Sequence, residues 1–129
     1  MNQPRRWRVL LIDDSEITLE LQQDILSRAG FDVRSATKLG DFGKLLHHWS
    51  PEIILTDVVM PDMSGVDLCR TLKSRYDTAH VPIVLCSTLE IEELERLARE
   101  CDADGFVSKS DGLDTLPDEL RLLCEELSW

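Results

Sequence analysis

The side chains in this chain best suited to chemistry are acids, hydroxyls and a lysine that close short apolar runs. Asp13 and Asp14 follow Val9-Leu10-Leu11-Ile12, and Asp57 follows Ile53-Ile54-Leu55-Thr56. Ser87 and Thr88 follow Ile83-Val84-Leu85-Cys86, and Lys109 follows Gly105-Phe106-Val107-Ser108. Three carboxylates gathered within a few ångströms repel one another, and one takes a proton unless a cation intervenes. Mg²⁺ meets that need as a hard ion that binds oxygen, keeps several waters and commonly uses one or two carboxylates. The lysine adds fixed positive charge for a phosphoryl oxygen, and the serine adds a hydroxyl donor. Carboxylate nucleophile, metal and ammonium together are what an acyl-phosphate requires.

Such a site exists only if the runs end at one place, so the elements between them matter. Val9 to Ile12 reads as a buried strand. Ser15 can cap a helix with Ile17, Leu21, Ile25 and Ala29 along one face, ending at Gly30. Phe31 to Ala36 alternates like an edge strand, and Leu39, Phe42, Leu45, Leu46 and Trp49 mark a second helix before Pro51. Gly40 and Gly43 weaken that helix. Ile53-Ile54-Leu55 is the third strand. The third helix is read from Val66, Cys69, Leu72 and Tyr76, with Ser64 and Asp67 patterned as a capping box. Pro82 opens the fourth strand, and Ile91, Leu94, Leu97, Ala98 and Cys101 give a helix with an acidic outer face. A short strand at Gly105-Phe106-Val107 precedes a closing helix marked by Leu113, Leu116, Leu120, Leu123, Cys124 and Leu127. No linker, internal repeat or low-complexity segment interrupts the series.

Five strand-helix alternations predict an α/β fold with parallel strands and five helices on both faces of one doubly wound sheet. The flavodoxin-like solution for five strands has the order 2-1-3-4-5, which makes the first and third strands neighbours at the switch point. In that order Asp13, Asp14, Asp57, Ser87, Thr88 and Lys109 reach one edge of the sheet.

The 129 residues suit one domain, with a core expected over about 7–128 and no room for a separate output domain. Output is therefore expected through a partner protein. At 43% hydrophobic and 30% charged, the chain is neither a disordered tail nor a membrane protein. With 14 Lys and Arg against 25 Asp and Glu, its net charge of −11 argues against direct DNA binding and against adhesion to anionic membranes. Arg5, Arg6 and Arg8 before an apolar run imitate an export signal, but Asp13 ends that run short of the roughly 7–15 residues required. Cys69, Cys86, Cys101 and Cys124 show no metal-binding spacing and read as buried thiols in a reducing, cytoplasmic setting. His47 and His48 are adjacent on a helix and point apart, so they do not pair on a metal. Glu90, Glu92, Glu93 and Glu95 read first as a solvated helix face and second as a docking face for a basic partner. Trp7 and Trp129 read as packing residues.

Taken as a set, Asp13-Asp14, Asp57 followed by Met60-Pro61 and Gly65, Ser87-Thr88 and Lys109 resemble the receiver domain of bacterial response regulators, the CheY-like family. The resemblance covers essentially the whole chain. It implies that Asp57 accepts a phosphoryl group from the phosphohistidine of a histidine kinase or phosphotransfer protein. It implies that Asp14, Asp57 and the Val59 backbone carbonyl coordinate Mg²⁺, with Asp13 acting through a metal-bound water. Lys109, Ser87 and Thr88 would hold the phosphoryl group. Ser87 and Phe106 would form a coupled switch that reshapes the face of the fourth helix, fifth strand and fifth helix toward an effector, in a monomer or weak dimer.

This chain departs from that pattern at several positions. Thr88 stands where a small residue is usual, and its bulk would slow entry of donor or water. Val59 offers no polar side chain to orient attacking water, so the phosphoryl group should be long-lived. Ser110 replaces a proline usual after the lysine, which puts the loop geometry in question. Ser64 stands where an acid or amide is common but caps a helix equally well.

Three other classes compete. A Mg²⁺-dependent phosphohydrolase would need an acid at Val59 to protonate the leaving group. A flavin carrier would need a phosphate loop rich in Ser, Thr and Gly where Asp13-Asp14-Ser15-Glu16 stands. An unphosphorylated docking scaffold would be expected to have lost pocket residues. For Ser87 a local alternative is that Ser87-Thr88-Leu89-Glu90 forms a capping box.

Overall fold

The strands form where the apolar runs demand them. A computed structural model describes residues 6–110 and 112–127 of the chain, so the expectations for Arg5 and Trp129 lie outside the described residues. In chain order the elements are β1 (Arg8–Ile12), α1 (Glu16–Arg28), β2 (Asp32–Ala36), α2 (Leu39–Trp49) and β3 (Ile53–Thr56). They continue as α3 (Gly65–Ser74), β4 (Ile83–Ser87), α4 (Ile91–Cys101), β5 (Gly105–Ser108) and α5 (Leu116–Leu127). All strand pairs are parallel, and the order is β2-β1-β3-β4-β5, the flavodoxin-like arrangement.

Strand periodicity splits the interior into two layers. Leu10, Ile12, Ile54, Ile83 and Leu85 point to the side covered by α2, α3 and α4. Val9, Leu11, Ile53, Leu55, Val84, Cys86 and Val107 point to the side covered by α1 and α5. With both faces covered, β1, β3 and β4 are apolar at nearly every position, and full burial of each such side chain contributes roughly 1.5–3 kcal/mol. The four cysteines are buried, and none forms a disulfide among the described residues. Burial pushes the thiols of Cys69 and Cys86 up, which keeps them protonated and inert. Trp7 packs at the margin of the α1–α5 layer, while His47 and His48 are exposed on α2.

Helix faces differ from the sequence expectation on α1, on α3 and on α4, where Ile91 is 53% exposed. On α1 the buried stripe is Leu19, Gln22 and Leu26, whereas Ile17 and Leu21 are 73% and 54% exposed. Docking onto Leu11, Phe31 and Val33 fixes the helix rotation, and the apolar count along α1 does not. On α3 the helix stops at Ser74, and Arg75 is extended, so Tyr76 leaves the helix and is fully exposed. There the Thr78 hydroxyl donates to the Leu72 carbonyl at 2.7 Å, which satisfies the helix end without another turn.

Caps fix where the two site-bearing helices begin. Ser15 accepts from the Thr18 amide at 3.2 Å, and Ser64 accepts from the Asp67 amide at 3.1 Å. For α4 the N-cap is Glu90 with no side-chain cap, and Ser87 lies within β4. The capping-box alternative for Ser87 is therefore overturned. Its hydroxyl accepts from the Leu89 amide at 3.3 Å, a local turn rather than a helix cap.

Candidate functional site

Parallel pairing sets the C-terminal ends of β1, β3, β4 and β5 side by side, so the residues after them meet without long side chains having to reach. The Asp13 amide donates to the Ala36 carbonyl at 3.3 Å and the Asp57 amide donates to the Ile12 carbonyl at 3.1 Å. These bonds continue the ladder one residue past the strands and hold both carboxylate stems. Carboxylate oxygens of Asp13, Asp14 and Asp57 lie within 4.8 Å of one another. Asp13 is buried, Asp57 is half-buried and Asp14 faces solvent.

Lys109 enters the same crevice from β5. Its Nζ stands 3.4 Å from Asp13 Oδ2 and 4.0 Å from Asp57 Oδ1, with the lysine side chain 10% exposed. The Lys109 amide donates to the Ser87 carbonyl at 2.7 Å, so the lysine stem and the serine are tied through backbone. Ser87 is buried beside them, and Thr88 is exposed at the rim. Val59 projects into solvent, and Phe106 is partly buried against the α4 side of the core. Asp13, Asp14, Asp57, Ser87 and Lys109 are thus gathered at one edge, with Thr88 and Val59 on its margin.

The electrostatics of the crevice favour a cation. Burial raises the Asp57 carboxyl above its ordinary range, the neighbouring Asp13 and Asp14 push the same way, and Lys109 with the Val58 amide opposes them. One ammonium is not enough for three acids, and clustered oxygen donors of this kind suit Mg²⁺. A native carboxyl with a raised pKa holds its proton where the unfolded chain has already lost it. Stability therefore falls as pH rises from the ordinary carboxylate value through the native one. In metal-free buffer at neutral pH, Asp57→Asn should accordingly melt above the wild type, and added Mg²⁺ should raise the wild type more than the variant. Thermal denaturation of both proteins reads this directly, and identical melting with identical responses to Mg²⁺ would contradict it.

Two contributors were given no physical role by the sequence reading, although Gly65 belongs to the motif set that carries the resemblance. Gly65, at the start of α3, sits so close to the acceptor that a Cβ there would lie 2.0 Å from the Asp57 carbonyl oxygen. Its amide donates to the Val58 carbonyl at 2.8 Å, which fixes the loop carrying Val59. Ser108 joins the two loops that flank the lysine. Its hydroxyl donates to the Leu89 carbonyl at 3.3 Å, lies 2.8 Å from Ser110 Oγ and accepts from the Ser110 amide at 3.2 Å. The loop lacking the usual proline is thus organised by serine hydroxyls, and the described residues contain no cis peptide bond. A glycine eight residues beyond an acid and a serine before a lysine are too common in sequence to announce either role.

A family model for the response regulator receiver domain matches residues 9–121. The chain is 35% identical over 101 residues to a transcriptional regulatory protein, GltR, of Pseudomonas aeruginosa, covering 78% of this chain and 42% of that protein. It is 32% identical over 113 residues to a gliding motility regulatory protein of Myxococcus xanthus, covering 87% of this chain and 14% of that protein. The chain therefore spans less than half the length of either relative. Among solved structures, the chemotaxis response regulator CheY4 of Vibrio cholerae superposes with a TM-score of 0.81 at 23% identity, covering 92% of this chain and 99% of that one, which shows the shared fold. The receiver domain of a histidine kinase from Syntrophus aciditrophicus superposes with a TM-score of 0.79 at 28% identity, covering 93% and 91% of the two chains. Among the described residues no helix is long and apolar enough to cross a membrane.

Proposed function

The chain belongs to the response regulator receiver domain family of two-component signalling, and on that premise we propose that Asp57 is its phospho-acceptor. The observation that carries the proposal is the placement of the Lys109 ammonium against both Asp57 and Asp13 in a crevice lined by a third acid. An Asp57 carboxylate oxygen attacks the phosphorus of a phosphohistidine on a histidine kinase or phosphotransfer protein. A P–O bond forms, the P–N bond breaks, and the imidazole leaves with a proton from solvent.

Lys109 would balance charge on the transferred phosphoryl oxygens, and the hydroxyls of Ser87 and Thr88 would donate hydrogen bonds to them. Asp14, Asp57 and the Val59 carbonyl would hold Mg²⁺, with Asp13 one water removed. When bound, the ion neutralises acid and phosphoryl charge together. Phe106 packs against the α4 side of the core and lines the surface between α4 and α5, which fits it to relay a movement of Ser87 to an effector protein.

The test is uptake of phosphate from a small-molecule donor. In Mg²⁺ the intact mass should rise by one phosphoryl group, and Asp57→Asn should stay unmodified. A wild-type chain that takes up nothing would instead be an unphosphorylated docking scaffold. Val59 presents only a solvent-facing isopropyl group, so residue 59 offers no polar group to orient water entering for hydrolysis. Val59→Asn should shorten the phosphoryl lifetime severalfold, as followed by decay of the mass adduct. An unchanged or longer lifetime would count against that role for residue 59.

A further inference from the structure

Lys109 lies one residue beyond an edge strand. β5 runs only from Gly105 to Ser108 and is bonded to β4 alone, so no second strand steadies the chain that follows it. A proline after the lysine would fix the backbone there through its ring, and Ser110 supplies no such lock. The lysine stem is long and flexible, so its ammonium is only as well placed as the backbone that carries it. Some other restraint must therefore set the lysine against Asp13 and Asp57.

The hydroxyl of Ser108 is placed to supply it. Its Oγ lies 3.3 Å from the Leu89 carbonyl oxygen, 2.8 Å from Ser110 Oγ and 3.2 Å from the Ser110 amide nitrogen. A hydroxyl has one hydrogen to give and two lone pairs with which to accept. The Leu89 carbonyl can only accept and the Ser110 amide can only donate, so the Ser108 hydrogen goes to Leu89. The Ser110 hydroxyl must then donate to Ser108. The hydrogens run one way, from Ser110 through Ser108 to Leu89, and the bonding capacity of the Ser108 hydroxyl is filled. Chains ordered in this sense strengthen each of their bonds.

Leu89 is a firm anchor for that chain. Its side chain packs against the layer formed by α2, α3 and α4, and its amide donates to Ser87 Oγ at 3.3 Å. The Lys109 amide donates to the Ser87 carbonyl at 2.7 Å, and the Lys109 carbonyl accepts from the Gly112 amide at 3.0 Å. Residues 108 and 109 are thus docked on the turn after β4 at two points, one through backbone and one through the Ser108 hydroxyl. We propose that Ser108, backed by Ser110, is a positioning residue for Lys109, supplying the restraint that the missing proline would give. The inference rests on the reading of Asp57 as phospho-acceptor, since that reading is what makes the place of the ammonium matter.

Uptake from a small-molecule phosphodonor in Mg²⁺ is followed by intact mass, and backbone amide exchange is read by NMR without donor. Ser108→Ala should slow uptake by roughly five- to tenfold, because a small misplacement of a positioned charge is costly to transfer. Ser108→Thr keeps the hydroxyl and should stay within about twofold of the wild type. The Lys109 amide should exchange severalfold faster in Ser108→Ala, although its own acceptor, Ser87, is untouched. In a Lys109→Ala background, loss of the Ser108 hydroxyl should slow uptake no further, since no ammonium is left to place. Ser110 is exposed, so Ser110→Ala leaves the packing alone. It should slow uptake by about twofold, and not at all once Ser108 is alanine.

Full-rate uptake in Ser108→Ala, or an equal loss in Ser108→Thr, would overturn the proposal. So would slowing that persists undiminished in the Lys109→Ala background, which would show that Ser108 acts by another route. Should circular dichroism find Ser108→Ala unfolded, Ser110→Ala decides: slowed uptake with faster Lys109 exchange upholds the restraint, and wild-type behaviour removes it. A wild-type chain that takes up no phosphoryl group defeats the acceptor reading, and Lys109 amide exchange then judges the restraint alone. Faster exchange in Ser108→Ala upholds it, and unchanged exchange ends it.

Discussion

Gly65→Ala is expected to cost the chain about 1–3 kcal/mol of stability and most of its phosphoryl uptake. A Cβ at this position would meet the Asp57 carbonyl oxygen at 2.0 Å, the Asp57 carbonyl carbon at 2.9 Å and the Val58 Cα at 3.1 Å. All three are backbone atoms, so no side chain can rotate away, and α3 must back off or the acceptor peptide must turn. Either movement breaks the bond from the Gly65 amide to the Val58 carbonyl and shifts Asp57 relative to Lys109. Gly40→Ala is the matched control, since nothing lies within 4 Å of its would-be Cβ. That substitution, inside α2, should leave uptake intact and stabilise by roughly 0.5–1 kcal/mol. Urea denaturation and adduct formation measured on both variants check the pair. Equal behaviour of the two alanines would show that the close approach does not constrain the acceptor.

Lys109→Ala should have the second largest effect, and in two separable ways. The Lys109 side chain is 10% exposed and its ammonium lies against Asp13, whose side chain is 4% exposed. Its removal leaves a buried carboxylate with its Ser15 amide bond at 2.9 Å but without a cation. Stranding one partner of a fully buried pair costs about 3–5 kcal/mol, and solvent access through Asp14 and Asp57 reduces that here to roughly 1–3 kcal/mol. Mg²⁺ should recover part of the loss, because it compensates the same acids. The rate of phosphoryl uptake should drop at least tenfold. That is below the roughly 10²–10³ seen when an enclosed oxyanion donor is removed, since this crevice is open. Denaturation with and without Mg²⁺, beside adduct kinetics, distinguishes the effects. Unchanged stability in metal-free buffer would show that Lys109 does not neutralise Asp13.

The strands were legible because β1, β3 and β4 are buried on both faces, and that demand writes continuous aliphatic runs that end where burial ends. The polar residue after each run is consequently legible too, which is how Asp13, Asp57, Ser87 and Lys109 could be picked out together. Helix rotation was not legible on α1, where Ile17 and Leu21 lie outward and Gln22 is buried with its amide donating to Cys86 Sγ at 3.7 Å. An apolar count cannot register a buried glutamine whose partner is 64 residues away. Tyr76 was misplaced for a similar reason, because its helix is terminated by the Thr78 hydroxyl and not by a glycine or proline. Close approaches leave the least trace: Gly65 matters through the backbone it touches, and Ser108 through a carbonyl of a different loop.

The central claim is that one particular carboxylate receives the phosphoryl group. Borohydride reduces an aspartyl phosphate to homoserine, so treating the chain with Mg²⁺, a small-molecule donor and then borohydride marks the acceptor for peptide mass spectrometry. Conversion at residue 57 alone, absent without donor, is the predicted result. Conversion at Asp13 or Asp14 instead, or donor-dependent mass gain with Asp57 unreduced, would contradict it.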